Sequence, residues 1–242
     1  MSLTSEEVSV AVNTCLDDFY RRRIGKLSTL KLKATLRRKN PYLFRATGVE
    51  SANDLIDEIM KAYMSSSDEG IFGDAFFEPL AKLVSKGETA VGEGVDLVIQ
   101  TKTSYKAFAV KSGPSVFNAQ SRKRQSTEFL KLRSRLLKLQ KQFDPIVGYA
   151  YGKKDSKNSA ASFRELAGQA FWKELTGDAK FYVRIIQAMR DKPQEHKVQY
   201  KNEWEKAKNR FLREFTTDFC KKDGSIDWEK LLEFNSGIKS DK

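Results

Sequence analysis

Residues 94–113 read GVDLVIQTKTSYKAFAVKSG, and the way this stretch folds decides the class of the protein. Its β-branched and aromatic residues gather in two runs, 95–99 and 105–110, with polar Lys102, Thr103 and Ser104 between them. Two such runs joined by a short polar connection predict a β-hairpin. Side chains two apart on a strand share a face, so Lys111 lies on the face of Ala109 while Asp96 comes from the neighbouring strand. One acid and one lysine then face each other across the hairpin, with fourteen residues between them in the chain.

On either side of the hairpin the pattern changes period. Thr4 and Glu7 predict a capping box ahead of Val8, Val12, Cys15, Phe19 and Tyr20, and a first helix to about Arg23. LKLKATL is ambiguous between strand and helix, and Pro41 ends whatever precedes it. Ser51 and Asp54 open a second helix bearing Leu55, Ile56, Ile59, Met60 and Tyr63 on one side. SSSDEG is expected to break that helix and Ser66 with Glu69 to restart it through Phe72, Phe76, Leu80 and Leu83, with Pro79 as an irregularity. After the hairpin come the loop KSGPSVFNAQ, a basic helix with Phe129, Leu132, Leu136 and Leu139 as its apolar stripe, and the strand DPIVGYAYG. The last third reads as helical throughout, with Ser162 and Glu165 capping FRELAGQAFWKEL, then FYVRIIQAM, then 198–219, before a turn at Asp223 and Gly224. Helix, antiparallel strands, crossover helix and a further strand make an α/β core with helices added at both ends. We expect a single domain over 1–242: a helical, basic segment at about 1–65, the α/β core at about 66–152, and a helical part at about 160–236.

Charge narrows the partners. The chain carries 44 Lys and Arg against 32 Asp and Glu, a formal net charge of +12. The excess is concentrated: residues 21–45 hold ten basic residues and no acid, and residues 122–141 hold eight against only Glu128. Such clusters attract polyphosphate backbones and lose affinity as salt rises. The bland alternative is a solvated helical surface, but ordinary surfaces intersperse the two signs. No apolar run approaches the ~20 residues that span a bilayer, and the polar start lacks the layout of a signal peptide. A cytoplasmic protein that does not engage membranes is expected. Cys15 and Cys220 show no CxxC spacing and His196 is the only histidine, which speaks against a disulfide framework or a zinc site. A metal here would be held by oxygen, which favours magnesium, with manganese as a substitute.

Hydrolysis of a phosphodiester needs a positioned water, neutralisation of the non-bridging oxygens and stabilisation of the leaving oxygen. A carboxylate-held divalent ion with a lysine beside it supplies much of this. Asp96 and Lys111 are the candidates, each of which read alone could equally be a solvated strand-end charge.

GVDL in one strand, AVKSG in the next and an upstream helix bearing Glu78 resemble the PD-(D/E)XK nuclease superfamily. KNPYLFRA, SSSDEGIFGDAFFEPLA, KSGP followed by Asn118 and Gln120, and AGQAFWKELTGD, taken in order over roughly residues 38–190, are similar to a group of type II restriction endonucleases. The resemblance implies a restriction-endonuclease-like core, a mixed central sheet flanked by helices. It implies sequence-specific, metal-dependent cleavage of double-stranded DNA leaving 5′-phosphate ends, by a homodimer whose cognate methyltransferase acts on the same site. Asp96 then looks like the invariant metal-binding acid, Lys111 like the catalytic lysine and Glu78 like the helix-borne acid that completes the metal site. Gln120 is similar to a polar helix residue found near the metal in several members.

One departure matters: two positions before the lysine the family carries Asp or Glu, and here stands Ala109. Another carboxylate must substitute, Glu78 first, Glu93 next and Glu128 last. Glu78 has an ordinary alternative, an ion pair with Lys82 four residues on. Ser112 and Asn118 are candidate phosphate or water contacts that could equally be turn and cap residues. Arg37, Arg38, Lys39, Arg45, Arg122, Lys123 and Arg124 are the expected DNA-binding cations. His196 reads as a surface or helix residue, and Phe171, Trp172, Trp204 and Trp228 as core. Two other readings stand beside the restriction enzyme: a repair or recombination nuclease, and a nuclease fold that has lost activity through Ala109 and only binds DNA.

Overall fold

The computed structural model describes residues 3–85, 87–89, 94–116, 118–136, 140–156 and 162–238. The chain divides into two compact units, Met1–Tyr20 with Glu69–Pro193, and Arg21–Asp68 with Gln194–Lys242.

The first unit is built on a mixed six-stranded sheet: β1 (Glu88–Thr89), β2 (Leu97–Gln100), β3 (Ser104–Lys111), β4 (Gln142–Tyr149), β5 (Lys154–Ser156) and β6 (Arg164–Ala167), in the order β1-β2-β3-β4-β6-β5. The expected hairpin is there as β2 and β3, paired antiparallel from Leu97↔Phe108 to Gln100↔Tyr105. Thr101 Oγ1 closes its turn by accepting from the Ser104 N–H at 3.0 Å. β3, β4 and β6 run parallel. The step from β3 to β4 is made by the basic helix α6 (Ala119–Leu136), as parallel neighbours require a crossover.

Alternation along the strands sends Leu97, Phe108, Val110, Ile146 and Leu166 into one core and Val98, Ala107, Ala109, Val147, Tyr149 and Ala167 into another. The first core is covered by α5 (Glu78–Ser85), α7 (Gln169–Thr176), α8 (Phe181–Met189) and the start of α1 (Ser5–Ser28); Phe129 of α6 packs in the second. The Thr4–Glu7 capping box forms as expected, with Thr4 N–H donating to Glu7 Oε2 at 2.7 Å and Glu7 N–H to Thr4 Oγ1 at 3.1 Å. The helix it starts runs on past Arg23 to Ser28.

Two readings of the sequence are corrected, and the irregularity expected at Pro79 takes a definite form. SSSDEG does not break a helix: α4 (Ala52–Phe72) runs through it, passes into a π-turn at Gly73–Phe77 and continues as α5. Ser and Gly cost a helix only fractions of a kcal/mol to ~1 kcal/mol each, less than the burial of Ala75, Phe76 and Leu80 returns. The irregularity expected of Pro79 appears as that π-turn. Proline cannot donate to the carbonyl four residues back, and the Glu78 N–H reaches five back to Gly73 O. The last third is not helical throughout, because β5 and β6 lie in it. Arg164–Ala167 is a strand paired to β4, and the Glu165 N–H donates to Ser156 Oγ at 3.1 Å rather than entering a helix cap. The following helix starts after Gly168, whose φ of +52° and whose close approach to Gly152 O leave no room for a Cβ.

The second unit is helical. The ambiguous LKLKATL is α2 (Leu32–Leu36), and Asn40 caps α3 (Pro41–Ala46) with Pro41 in its first turn. The unit also holds most of α9 (Lys192–Phe219) and α10 (Trp228–Ser236). Leu27, Leu32, Leu36, Leu55, Ile59, Met60, Phe211 and Phe215 fill its core. Both cysteines are free thiols. Among the described residues no helix is long and apolar enough to cross a membrane.

Candidate active site

Asp96 stands where the hairpin ladder becomes irregular. Leu97 pairs with Phe108, and the Asp96 N–H also donates to Phe108 O at 2.8 Å, the local pattern of a β-bulge. The Asp96 side chain then takes a place that a continued ladder would give to a backbone carbonyl. Its Oδ2 accepts from the Val110 N–H at 2.6 Å and lies 3.7 Å from Lys111 Nζ. A carboxylate tied to the backbone of the lysine-bearing strand is held in one orientation. Gly94, at φ +78°, leads into it, and its carbonyl accepts from the buried Gln125 side chain of α6 at 2.6 Å.

Burial raises the Asp96 pKa above the usual carboxylate range; Lys111 and the Val110 N–H oppose this, Glu78 raises it further and Lys82 lowers it. Glu78 is therefore within electrostatic reach of Asp96, brought there by the π-turn that immediately precedes it. It also makes the ordinary ion pair with Lys82, at 2.8 Å. The helix carrying it presses on the loop after Lys111: a Cβ on Gly73 would come within 2.7 Å of Ser112 Oγ. Among the described residues no three His, Cys, Asp or Glu side chains cluster. Ala109 is fully buried in the apolar cluster with Val98, Val147 and Tyr149.

The remaining sequence candidates separate. Asn118 is the cap of α6, its Oδ1 accepting from the Ser121 N–H at 2.8 Å. Ser112 accepts through its carbonyl from the Tyr151 N–H at 3.1 Å, joining the loop after β3 to that after β4. Gln120, Lys123 and Arg124 are exposed on the first turns of α6. Glu128 is mostly buried, paired with Lys131 at 2.9 Å, and would lie about 3.0 Å from a Cβ at Gly94. Glu93 lies outside the described residues. Arg37, Arg38, Lys39 and Arg45 belong to the second unit, where Arg37 sits over the Phe234 ring and Arg45 over that of Trp228. His196 is on a helix but not at the surface: it is buried, with the Arg23 guanidinium 3.3 Å from Nε2. Phe171 and Trp172 are core residues, and Trp204 and Trp228 pack against the core of the second unit.

Sequence reasoning missed Glu165. It is 4% exposed on β6 and accepts from Tyr149 Oη at 2.7 Å, from Arg122 and from Lys154. Burial opposes its ionisation, but the hydrogen bonds from Lys154 and Tyr149 and the charges of Lys154 and Arg122 outweigh it and hold the pKa below the usual glutamate value. RELA gave no signal in the sequence, being four residues without alternation and too short to tell strand from helix.

Residues 6–197 match the family model of the type II restriction endonuclease EcoO109I. The chain belongs to this family. No curated protein matches it. Membership in the EcoO109I family agrees with the helix-flanked mixed sheet and makes the chain a restriction-type nuclease by kinship, with DNA as the partner its family implies. In an EcoO109I-family chain the carboxylate and lysine brought together at the end of the β2–β3 hairpin are the first candidates for the chemistry.

Proposed function

We propose that the protein is a divalent-metal-dependent, sequence-specific endonuclease that hydrolyses phosphodiester bonds of double-stranded DNA and leaves 5′-phosphates. The observation that carries this reading is the Asp96–Lys111 pair, 3.7 Å apart at the end of the hairpin, in a chain of this family. Asp96 and Glu78 are the residues that would hold Mg2+, or Mn2+ in its place. Their donors are all oxygens, and magnesium is commonly bound through one or two carboxylates with water and substrate phosphate completing its shell. The site fits a cation on its own electrostatics too, since burial and Glu78 disfavour the Asp96 charge that a cation would stabilise. A divalent ion there supplies neutralisation of the phosphate and a lowered water pKa. Lys111 binds a non-bridging oxygen and orients the attacking water; the Val110 N–H keeps the Asp96 carboxylate aimed. The protein acts as a homodimer on a two-fold site, in the cytoplasm, alongside a methyltransferase that protects the same sequence.

Incubation of unmodified plasmid with Mg2+ or Mn2+, followed by sequencing of the fragment ends, tests this. Discrete fragments with 5′-phosphates are expected, and Asp96→Asn or Lys111→Ala is expected to lower the rate by roughly 10²-fold or more. Ala109 favours a second reading, a DNA-binding protein that does not cleave. Absence of cleavage with every divalent ion, with binding retained, would establish that reading and reject the enzyme.

A further inference from the structure

We propose that Glu165 is a positioning residue that sets Arg122 and Lys154 as a two-cation clamp for a backbone phosphate next to the one addressed by Lys111; this rests on the DNA-nuclease reading above. Strand register places the cluster. Lys111 of β3 pairs with Tyr149 of β4, and Ala109 is aligned through Val147 with Glu165 of β6. Paired residues of neighbouring strands project to the same face, so Tyr149 and Glu165 lie on the Lys111 side of the sheet, two strand spacings or roughly 10 Å across. Tyr149 Oη donates to Glu165 at 2.7 Å and so ties the cluster to the strand paired with the lysine's.

The cluster is poorly explained as a stabilising device. Lys154, Tyr149 and Arg122 outweigh the cost of burying the Glu165 carboxylate, yet apolar packing of equal volume commonly stabilises a fold as well. Nor does Glu165 replace the acid absent at Ala109, because two cations already converge on it and repel a metal ion. What the arrangement does is restrain two flexible side chains. Arg122 comes from the first turn of α6 and Lys154 from the edge strand β5, and one carboxylate, held in place by Tyr149, draws both to a common point. Their side chains remain 35% and 31% exposed, while Glu165 is sealed beneath them. A buried anion under two partly exposed cations leaves an outward-facing positive site with its geometry set before DNA arrives. A phosphate oxygen is the ligand chemistry such a site takes.

The test is DNA binding measured in EDTA as a function of NaCl, for the wild type and for Glu165→Gln, Arg122→Gln and Lys154→Gln. Each of the two cation variants is expected to shallow the slope of log affinity against log salt by about 1. Glu165→Gln raises the net charge by one, so a charge acting only through the bulk field would make the variant bind more tightly. As a positioning residue its loss instead weakens binding about tenfold and shallows the slope. In the Glu165→Gln background, Lys154→Gln is expected to add little, since both act on one unit. Tighter or unchanged binding by Glu165→Gln overturns the clamp. Should that variant melt below the assay temperature, unchanged slopes in Arg122→Gln and Lys154→Gln, which alter only partly exposed side chains, overturn it equally. Failure of the wild type to bind DNA rejects the nuclease reading and the clamp together, whereas wild-type binding with unaltered variant slopes rejects the clamp alone.

Discussion

Asp96 is held in a place where its charge is disfavoured. Its folded pKa lies above the usual carboxylate range, chiefly through burial, so between those two values the folded protein binds more protons than the unfolded chain. Stability then falls as pH rises through that window, and at neutral pH the ionised group burdens the fold. Asp96→Asn keeps an oxygen to accept from the Val110 N–H and removes the charge. It is expected to raise Tm at pH 7.5 while slowing cleavage as proposed above, with the Tm gain shrinking toward pH 4; thermal melts over this range decide it, and a lowered Tm at neutral pH would contradict the electrostatic account. Such an exchange of stability for function is common at active sites. Asp96 and Lys111 could be singled out in the sequence because the elements that pair them are contiguous, so local periodicity alone brings them together. Glu165 could not, because the neighbours that bury it come from β4, α6 and β5 and meet only when the parallel strands align.

At the level of elements, the sheet and the helices on it are fitted closely enough that single atoms count. β4 lies against α7, and a Cβ on Gly148 would come within 2.1 Å of the Phe171 ring, itself fully buried. Gly148→Ala is expected to cost about 1–3 kcal/mol, read as a lowered urea midpoint with an unchanged slope; a neutral result would mean that α7 can move away from the sheet. The π-turn belongs to the same scale. It is the device that carries Glu78 toward Asp96, and Pro79 announces it in the sequence, although not the kind of irregularity. The strand at Arg164–Ala167 had a helix-compatible sequence of four residues, and pairing with β4 overrode that preference. Arg164 illustrates what the pairing creates: its guanidinium bonds Asp144 across the strands, at 2.9 Å and 2.5 Å, and reaches Glu174 of α7.

The whole molecule comprises a sheet unit bearing the candidate site and a helical unit that buries a histidine. Burial, with the Arg23 charge, pushes the His196 pKa down to about 4 from an ordinary value near 6.5. Between these values the unfolded chain binds more protons than the folded one, so the contribution of a neutral His196 is complete above pH 6.5 and is lost as pH falls toward 4. Urea unfolding at pH 7.5 and at pH 5 is expected to show lower stability in acid, and His196→Gln is expected to reduce that difference; an equal pH dependence in the variant would exclude His196 as its source. The sequence by itself determined the α/β class, the hairpin, the Thr4–Glu7 capping box, the basic character and the Asp96–Lys111 pair, because each depends on neighbours close in the chain or on composition. Tertiary structure alone decided the strand at Glu165, the burial of Ala109 and His196, the approach of Glu78 to Asp96 and the convergence of Arg122 and Lys154. These depend on which distant segments exclude water from one another, and that is set only when the sheet and its helices close.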